Sequence, residues 1–552
     1  MVDETAAHSG HRFSWHPEPA LLDPRAEGAR AALAELGSRT WDLALDYLYD
    51  EALVRPVGPD SYPELRGRFF GPTGRPGPAP AGPSTAEAVL EEARARLLPY
   101  MFNSQHPASF SYFTPPPLTM SIAGEVLAQW FHQGIDVFQA GPAGALIEEE
   151  VTSWLRELVG FDAGGWGVLT SGGVMANVMA LTVARDRHLG RLLGSASDSG
   201  SGSAAGSGSD GGSGPGDGSG HGDGRSRPPR GGELDRARVY ASEQTHFSIG
   251  RALDVLGFPS ESLRVVESDE RFCLRGDAVR AAVGEDRAAG LLPFCVAAVS
   301  GSTNTGSVDR VDELAEVCTE EQLWLHVDAA YGGAVRLSGR DAARVTSLEL
   351  ADSITIDPHK WFFQAYDIGA LIVRRREDLH ATFSRAPEYY RSTRPEDKPL
   401  NWLEYSIEGT RRLRALKLWM SWKHIGSDGL GRLVEMNNDI AALLSEKIAA
   451  SDDFEAVLPE PELSVVCFRH LPGDIGAGGR GETDAARLDR HQDLLQRALE
   501  VSGEAWVSTT RLRGATYLRA GIMNPLTTEA DLDRLLSALR RLAPAAAAEA
   551  GL

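Results

Sequence analysis

Lys360 stands between His359 and Trp361 in DSITIDPHKWFF, directly after an apolar segment that reads as a strand. Only five of the 55 basic side chains are lysines (Lys360, Lys398, Lys417, Lys423 and Lys447), so positive charge in this chain is normally supplied by arginine. An amine differs from a guanidinium in one chemical respect that matters here: it can form an imine with a carbonyl, and desolvation favours its neutral, nucleophilic form. The plain alternative is a strand-end lysine with its ammonium in water.

Other residues bear on the choice. In LWLHVDAAYGG, Asp328 closes an apolar segment and is followed by two alanines, which sets a carboxylate against a flat apolar surface. Such a charge needs a cationic partner, and a protonated ring nitrogen is one; a helix cap or an ion pair with arginine is the other reading. TSGGVMANVMALTVA offers Thr170, Ser171, Gly172 and Gly173 between a strand and a helix, where small residues and free N–H groups can cradle a phosphate or simply make a tight turn. GSTNTGS gives Ser302 and Thr303 at another strand end, and SEQTHFSIGRAL gives His246. An aldehyde, a ring nitrogen and a phosphate together describe pyridoxal phosphate. A metal site built from His246, His326, Asp328 and His359 is the rival, and it leaves Lys360 without a purpose; no metal is expected.

These residues need a frame. LPFCVAAVS, LWLHVDAAY, DSITIDPH and IGALIVR read as strands, and VDELAEVCTEEQ as one of the helices between them, an α/β alternation implying a mostly parallel sheet covered on both faces. Ligands of such sheets gather at the carboxyl ends of the strands, where the unusual residues fall. Residues 195–232 are almost wholly Gly, Ser, Asp and Pro and read as a flexible surface insertion. Beyond the lysine, GTRRLRALKLWMSWKHIG reads as an amphipathic helix, followed by a further helix at NNDIAALLSEKIAA, strands at ELSVVCFRH and ATYLRAGIM, and a last helix at EADLDRLLSALRRL.

A length of 552 residues with 42% hydrophobic content supports two or three packed domains. The net charge of -22 argues against nucleic acid or an anionic membrane as partner, leaving small molecules or another subunit. Cys273, Cys295, Cys318 and Cys467 form no C-x-x-C pair, so neither a disulfide framework nor structural zinc is expected. No leader or spanning segment is visible, and the cytoplasm is the default expectation.

HVDAAYGG and DPHKW at their relative spacing, supported by TSGGVMAN, SEQTHFS and RRLRALKLW, resemble the group II pyridoxal-phosphate-dependent amino-acid decarboxylases, among them the aromatic-L-amino-acid, glutamate and diaminobutyrate decarboxylases. The likeness runs from about Arg55 to the C-terminus and is interrupted by the insertion. It implies the fold-type I layout: an N-terminal helical arm (1–118), a large cofactor domain (119–419) and a small C-terminal α/β domain (420–552). By the same resemblance Lys360 carries the cofactor, Asp328 faces its pyridine nitrogen, and His246 and Ala330 pack on its two faces. Thr303, Gly172, Gly173 and His359 are implied cofactor contacts. Tyr389 in APEYYRS, with Tyr390 adjacent, is the implied proton donor on a loop shared across a homodimer, and Tyr112 and Phe113 of FSYFTPPP are implied in the substrate pocket with Phe110 beside them. Two positions depart from the pattern: Val174 where relatives often carry Ser or Thr, and Asp357 where some carry Asn. The activity implied is release of carbon dioxide from an L-amino acid, with an aromatic one favoured by the aromatic pocket. An aldehyde-forming relative, an aminotransferase, a decarboxylase of acidic or diamino acids, and a non-catalytic cofactor-binding protein are the alternatives.

Overall fold

The computed structural model describes residues 18, 21, 23–51, 54–58, 60–193, 229, 231–384, 399–473 and 482–552. The chain divides into two compact units, one of residues 1–112, 451–455 and 468–552, the other of 113–450 and 456–467. The expected boundaries at 118/119 and 419/420 compare with divisions at 112/113 and 450/451. The first unit opens with helices α1 (Ala29–Asp46), α2 (Tyr62–Phe70) and α3 (Ala86–Leu97).

The second unit begins with α4 (Thr119–Phe131) and α5 (Pro142–Leu158), then builds a seven-stranded sheet. Its strands are β1 (Trp166–Thr170), β2 (Ala237–Ser242), β3 (Leu263–Val266), β4 (Leu292–Val299), β5 (Trp324–Asp328), β6 (Ser353–Ile356) and β7 (Gly369–Val373), in the order β1-β7-β6-β5-β4-β2-β3. β4, β5 and β6 are buried along nearly their whole length, which is why they carry unbroken apolar runs and not an alternating pattern. The five strands from β6 to β3 are parallel, whereas β7 runs antiparallel to both β6 and β1. The chain therefore turns straight back after β6, and Lys360 lies on that return. Behind it Trp361, Phe362 and Phe363 are fully buried, and at roughly 2–3 kcal/mol for each large apolar side chain they pin the return in place. Trp361 Nε1 also donates to Asn437 Oδ1 at 2.8 Å.

Helix α6 (Gly173–Val183) follows β1 and is buried on every side from Ala176 onward, so it has no polar face. α7 (Ser248–Val255), α8 (Gly276–Ala288), α9 (Val311–Glu320) and α10 (Arg376–Phe383) fill the later connections. The two helices expected after the lysine are both present in the stretch α11 (Ala415–Ala449) and meet at Gly426, whose φ of 71° and ψ of 170° lie outside the helical region. Strands β8 (Phe454–Ala456), β9 (Val465–His470), β10 (Ser508–Leu512) and β11 (Ala515–Gly521) form a four-stranded sheet in the order β10-β11-β9-β8, with helix α12 (Glu482–Ser502) following β9 and helix α13 (Glu529–Ala550) following β11 in the chain.

Candidate active site

The carboxyl ends of β1, β2, β4, β5 and β6 converge on a cavity of about 320 Å³ in the second unit. Its wall includes Gly172, Gly173, Val174, His246, Thr303, Asp328, Ala330, Asp357, His359 and Lys360. Every cofactor contact expected from the sequence is thus brought to one place. Tyr389 and Tyr390 lie outside the described residues.

Each position has a local cause. Asp328 is the last residue of β5; its Oδ1 accepts the Ala330 N–H at 3.1 Å and its Oδ2 the Asn177 side-chain amide at 2.8 Å. Lys360 follows β6 by a tight turn closed by its own N–H on the Asp357 carbonyl at 2.9 Å, and its Nζ comes within 3.3 Å of Asp357 Oδ2. The Lys360 side chain keeps 20% exposure, so it borders the open cavity and is less desolvated than its sequence context implied. His359 lies with Nε2 3.5 Å from the same carboxylate oxygen while its Nδ1 accepts the Ile368 N–H at 3.4 Å, and burial holds the imidazole below its usual range. Burial likewise lowers His246, against the opposing pull of the Asp328 charge.

The first turn of α6 supplies Gly172, Gly173 and Val174 to the cavity wall, an arrangement in which backbone N–H groups and the helix dipole favour an anion. The glycines are required by space: a Cβ on Gly172 would stand 3.1 Å from His359 Cε1, and one on Gly173 2.9 Å from Asp357 Oδ2. Asp357 Oδ1 is buried and has no hydrogen-bond partner. A phosphate cradle, an amine, a carboxylate opposite it and an imidazole on one wall are the donor set that pyridoxal phosphate needs, and these residues fit that group.

The aromatic residues expected in the pocket divide. Phe113 packs at a tilt of 50° on Tyr331 with centroids 4.5 Å apart, Tyr331 stacks on Trp361 at 4.5 Å, and Tyr331 borders the cavity. The Tyr331 hydroxyl is fixed 2.6 Å from Ser464 Oγ. Tyr112 belongs to the first unit, where its ring packs edge-on against Phe102 and Trp506, and Phe110 is fully buried in that unit. The rival metal site fares differently: both nitrogens of His326 are engaged, with Ser353 Oγ at 2.9 Å and Asn177 Oδ1 at 3.0 Å.

Sequence reasoning passed over Asn177 and Ser248. Asn177 joins Asp328, Ser248, Thr355 and His326 from a fully buried position on α6. A signal was available, since an amide inside the apolar run VMANVMALTV must find partners within the protein.

Residues 73–199 and 228–471 match the pyridoxal-dependent decarboxylase conserved domain. The chain belongs to that family. The break in the match, 200–227, falls inside the Gly/Ser-rich insertion. The chain is 30% identical to an aromatic-L-amino-acid decarboxylase of Bacillus atrophaeus, over 84% of its own length and 87% of that protein. It is 28% identical to a phenylacetaldehyde synthase of Arabidopsis thaliana, over 82% and 85%. Among solved structures it resembles Oryza sativa TDC with PLP and tryptamine, with a TM-score of 0.79 and 25% identity, covering 94% of this chain and 98% of that one. The protein is a fold-type I, pyridoxal 5'-phosphate-dependent carboxy-lyase of the amino-acid decarboxylase family.

Proposed function

We propose that this decarboxylase acts on an aromatic L-amino acid, releasing carbon dioxide and the corresponding amine. The observation that carries the choice of substrate is Tyr331, which borders the cavity and is backed by Phe113 and by Trp361, each with its ring centroid 4.5 Å away, so aromatic side chains gather beside the site.

When bound, pyridoxal phosphate supplies the electron sink that lets the bond between Cα and the carboxyl group break. The chain's own residues bind and orient. Lys360 would hold the cofactor through its amine. Asp328, fixed from two sides by Asn177 and the Ala330 N–H, would pair with a protonated ring nitrogen. His246 and Ala330, both in the cavity wall, would pack against the ring. Gly172, Gly173, Thr303 and His359 hold the remaining polar edge, with Val174 contributing bulk where a hydroxyl would have donated. Tyr389 returns a proton to Cα after carbon dioxide has left. The working species is a cytoplasmic homodimer; the exposed Val126, Leu127, Trp130 and Phe131 on α4 support a partner surface.

The test is a panel of L-amino acids assayed for carbon dioxide, amine and aldehyde. Aromatic substrates are expected to lead, and Phe113→Ala to lower their kcat/KM by roughly 10-fold. Acidic or diamino acids turning over faster than any aromatic one would overturn the substrate reading. Aldehyde and ammonia as main products would instead make this chain functionally like the Arabidopsis synthase. Tyr389→Phe is expected to raise aldehyde relative to amine, because slower protonation of Cα gives dioxygen time to react there.

A further inference from the structure

Behind the cavity a chain of hydrogen bonds joins groups to which no role has been given. Trp324 Nε1 donates to Ser353 Oγ at 2.9 Å, and Ser353 Oγ lies 2.9 Å from His326 Nδ1. His326 Nε2 is 3.0 Å from Asn177 Oδ1, which also accepts the Thr355 hydroxyl at 2.6 Å. Asn177 Nδ2 lies 2.8 Å from Asp328 Oδ2 and 2.8 Å from Ser248 Oγ, and Ser248 Oγ is 2.8 Å from His246 Nδ1. Asn177, Ser248, His326, Ser353 and Thr355 are fully buried, so water does not complete these bonds.

Donor and acceptor chemistry leaves one placement of the hydrogens. A carboxylate oxygen only accepts, so the Asn177 group facing Asp328 is its NH2, and its carbonyl oxygen faces Thr355 and His326. Both of those must donate, which makes His326 the Nε2–H tautomer. Burial pushes His326 down to about 4, so its Nδ1 is bare and accepts the Ser353 hydroxyl, whose oxygen takes the Trp324 N–H. At the other end Ser248 Oγ accepts from Asn177 and turns its own hydrogen to His246 Nδ1, which the Ser248 backbone N–H also approaches at 3.4 Å.

We infer that Asn177 is a positioning residue that sets the tautomer of His246: by donating at once to Asp328 and to Ser248 it directs the Ser248 hydrogen onto His246 Nδ1, so His246 is neutral and carries its hydrogen on Nε2. A single tautomer removes the alternative in which the ring accepts where it should donate. The consequence for catalysis rests on the proposed function, while the placement of the hydrogens depends only on the chain's own side chains.

The test uses full-length protein labelled with 15N-histidine, with and without pyridoxal phosphate, and long-range 1H–15N correlation spectra in which His246→Gln identifies the signal. The unmodified chain is expected to show His246 as Nε2–H at neutral pH. Asn177→Asp replaces the donor with an acceptor. Ser248 must then donate toward position 177 and accept from His246, so the two ring-nitrogen shifts are expected to exchange. Ser248→Ala removes the hydroxyl link and leaves only the long 3.4 Å approach of the backbone N–H at position 248, so His246 is expected to show mixed tautomers. A packing role for Asn177 predicts no exchange, because the first substitution is nearly isosteric. His246 carrying its hydrogen on Nδ1 in the unmodified chain, or on Nε2 alone in all three proteins, would overturn the inference. Should Asn177→Asp fail to fold, Ser248→Ala decides by the same outcomes. Failure to gain the visible absorbance of bound cofactor counts against the proposed function and is read separately.

Discussion

Lys360 and Lys417 belong to the same compact unit and meet opposite surroundings. Lys417 is fully buried on α11; its ammonium lies 2.9 Å from Glu125 Oε2 and donates to the Asp367 carbonyl at 3.0 Å. Burial, helped by the neighbouring Arg412 charge, pushes it down to about 7. Around it Arg411, itself fully buried, pairs with the buried Glu148, and Arg414 Nη1 lies 2.6 Å from Glu408. Lys360 keeps 20% exposure, has one carboxylate at 3.3 Å, and opens onto a cavity. By desolvation alone Lys417 would be the better nucleophile. Its amine is nevertheless held by acceptors on the molecule's interior, and no carbonyl compound can reach it. Access to the cavity distinguishes Lys360, the lysine proposed to hold the cofactor, from the enclosed Lys417.

Substitutions should separate the two regions. Lys360→Ala is expected to lower carbon dioxide release by on the order of 10³-fold or more while the melting transition stays near that of the parent, as measured by turnover and calorimetry. Melting that collapses along with activity would erase the distinction. Arg411→Met leaves Glu148 buried without its partner and is expected to cost about 3–5 kcal/mol in urea unfolding. Lys417→Met keeps the volume but takes the opposite charge from Glu125 and the donor from the Asp367 carbonyl, at about 1–3 kcal/mol, with cofactor attachment at Lys360 expected to stay intact.

The smallest effect concerns pH. His326 titrates at about 4 in the fold against ~6.5 when unfolded, so between those values the unfolded chain binds the extra proton. Its contribution to stability is therefore complete above ~6.5 and is lost as pH falls toward about 4, with a slope of up to about 1.4 kcal/mol per pH unit. His326→Gln is expected to flatten that part of a stability-against-pH series; an unchanged slope would remove His326 as its source.

The sequence made the parallel core legible because β4, β5 and β6 are buried on both faces and so spell unbroken apolar runs. The direction of β7 was not legible, since an apolar run carries no sign of which way it is laid beside its neighbour. At the site, Lys360 and Asp328 declared themselves by being charged at the ends of apolar strands. Ser248 did not, because its place is set by contacts on two sides, His246 Nδ1 and the amide of Asn177, a residue 71 positions away. Tyr112 and Phe113 show the limit of adjacency: neighbours in FSYFTPPP, they fall in different units and pack against different rings.

Which amine holds the cofactor can be read directly by borohydride reduction of the pyridoxal-phosphate-loaded protein followed by peptide mapping. A single pyridoxyl group on the peptide containing Lys360, with Lys417 unmodified, is the predicted result. Cofactor absent from position 360, or found on Lys417, would contradict the account.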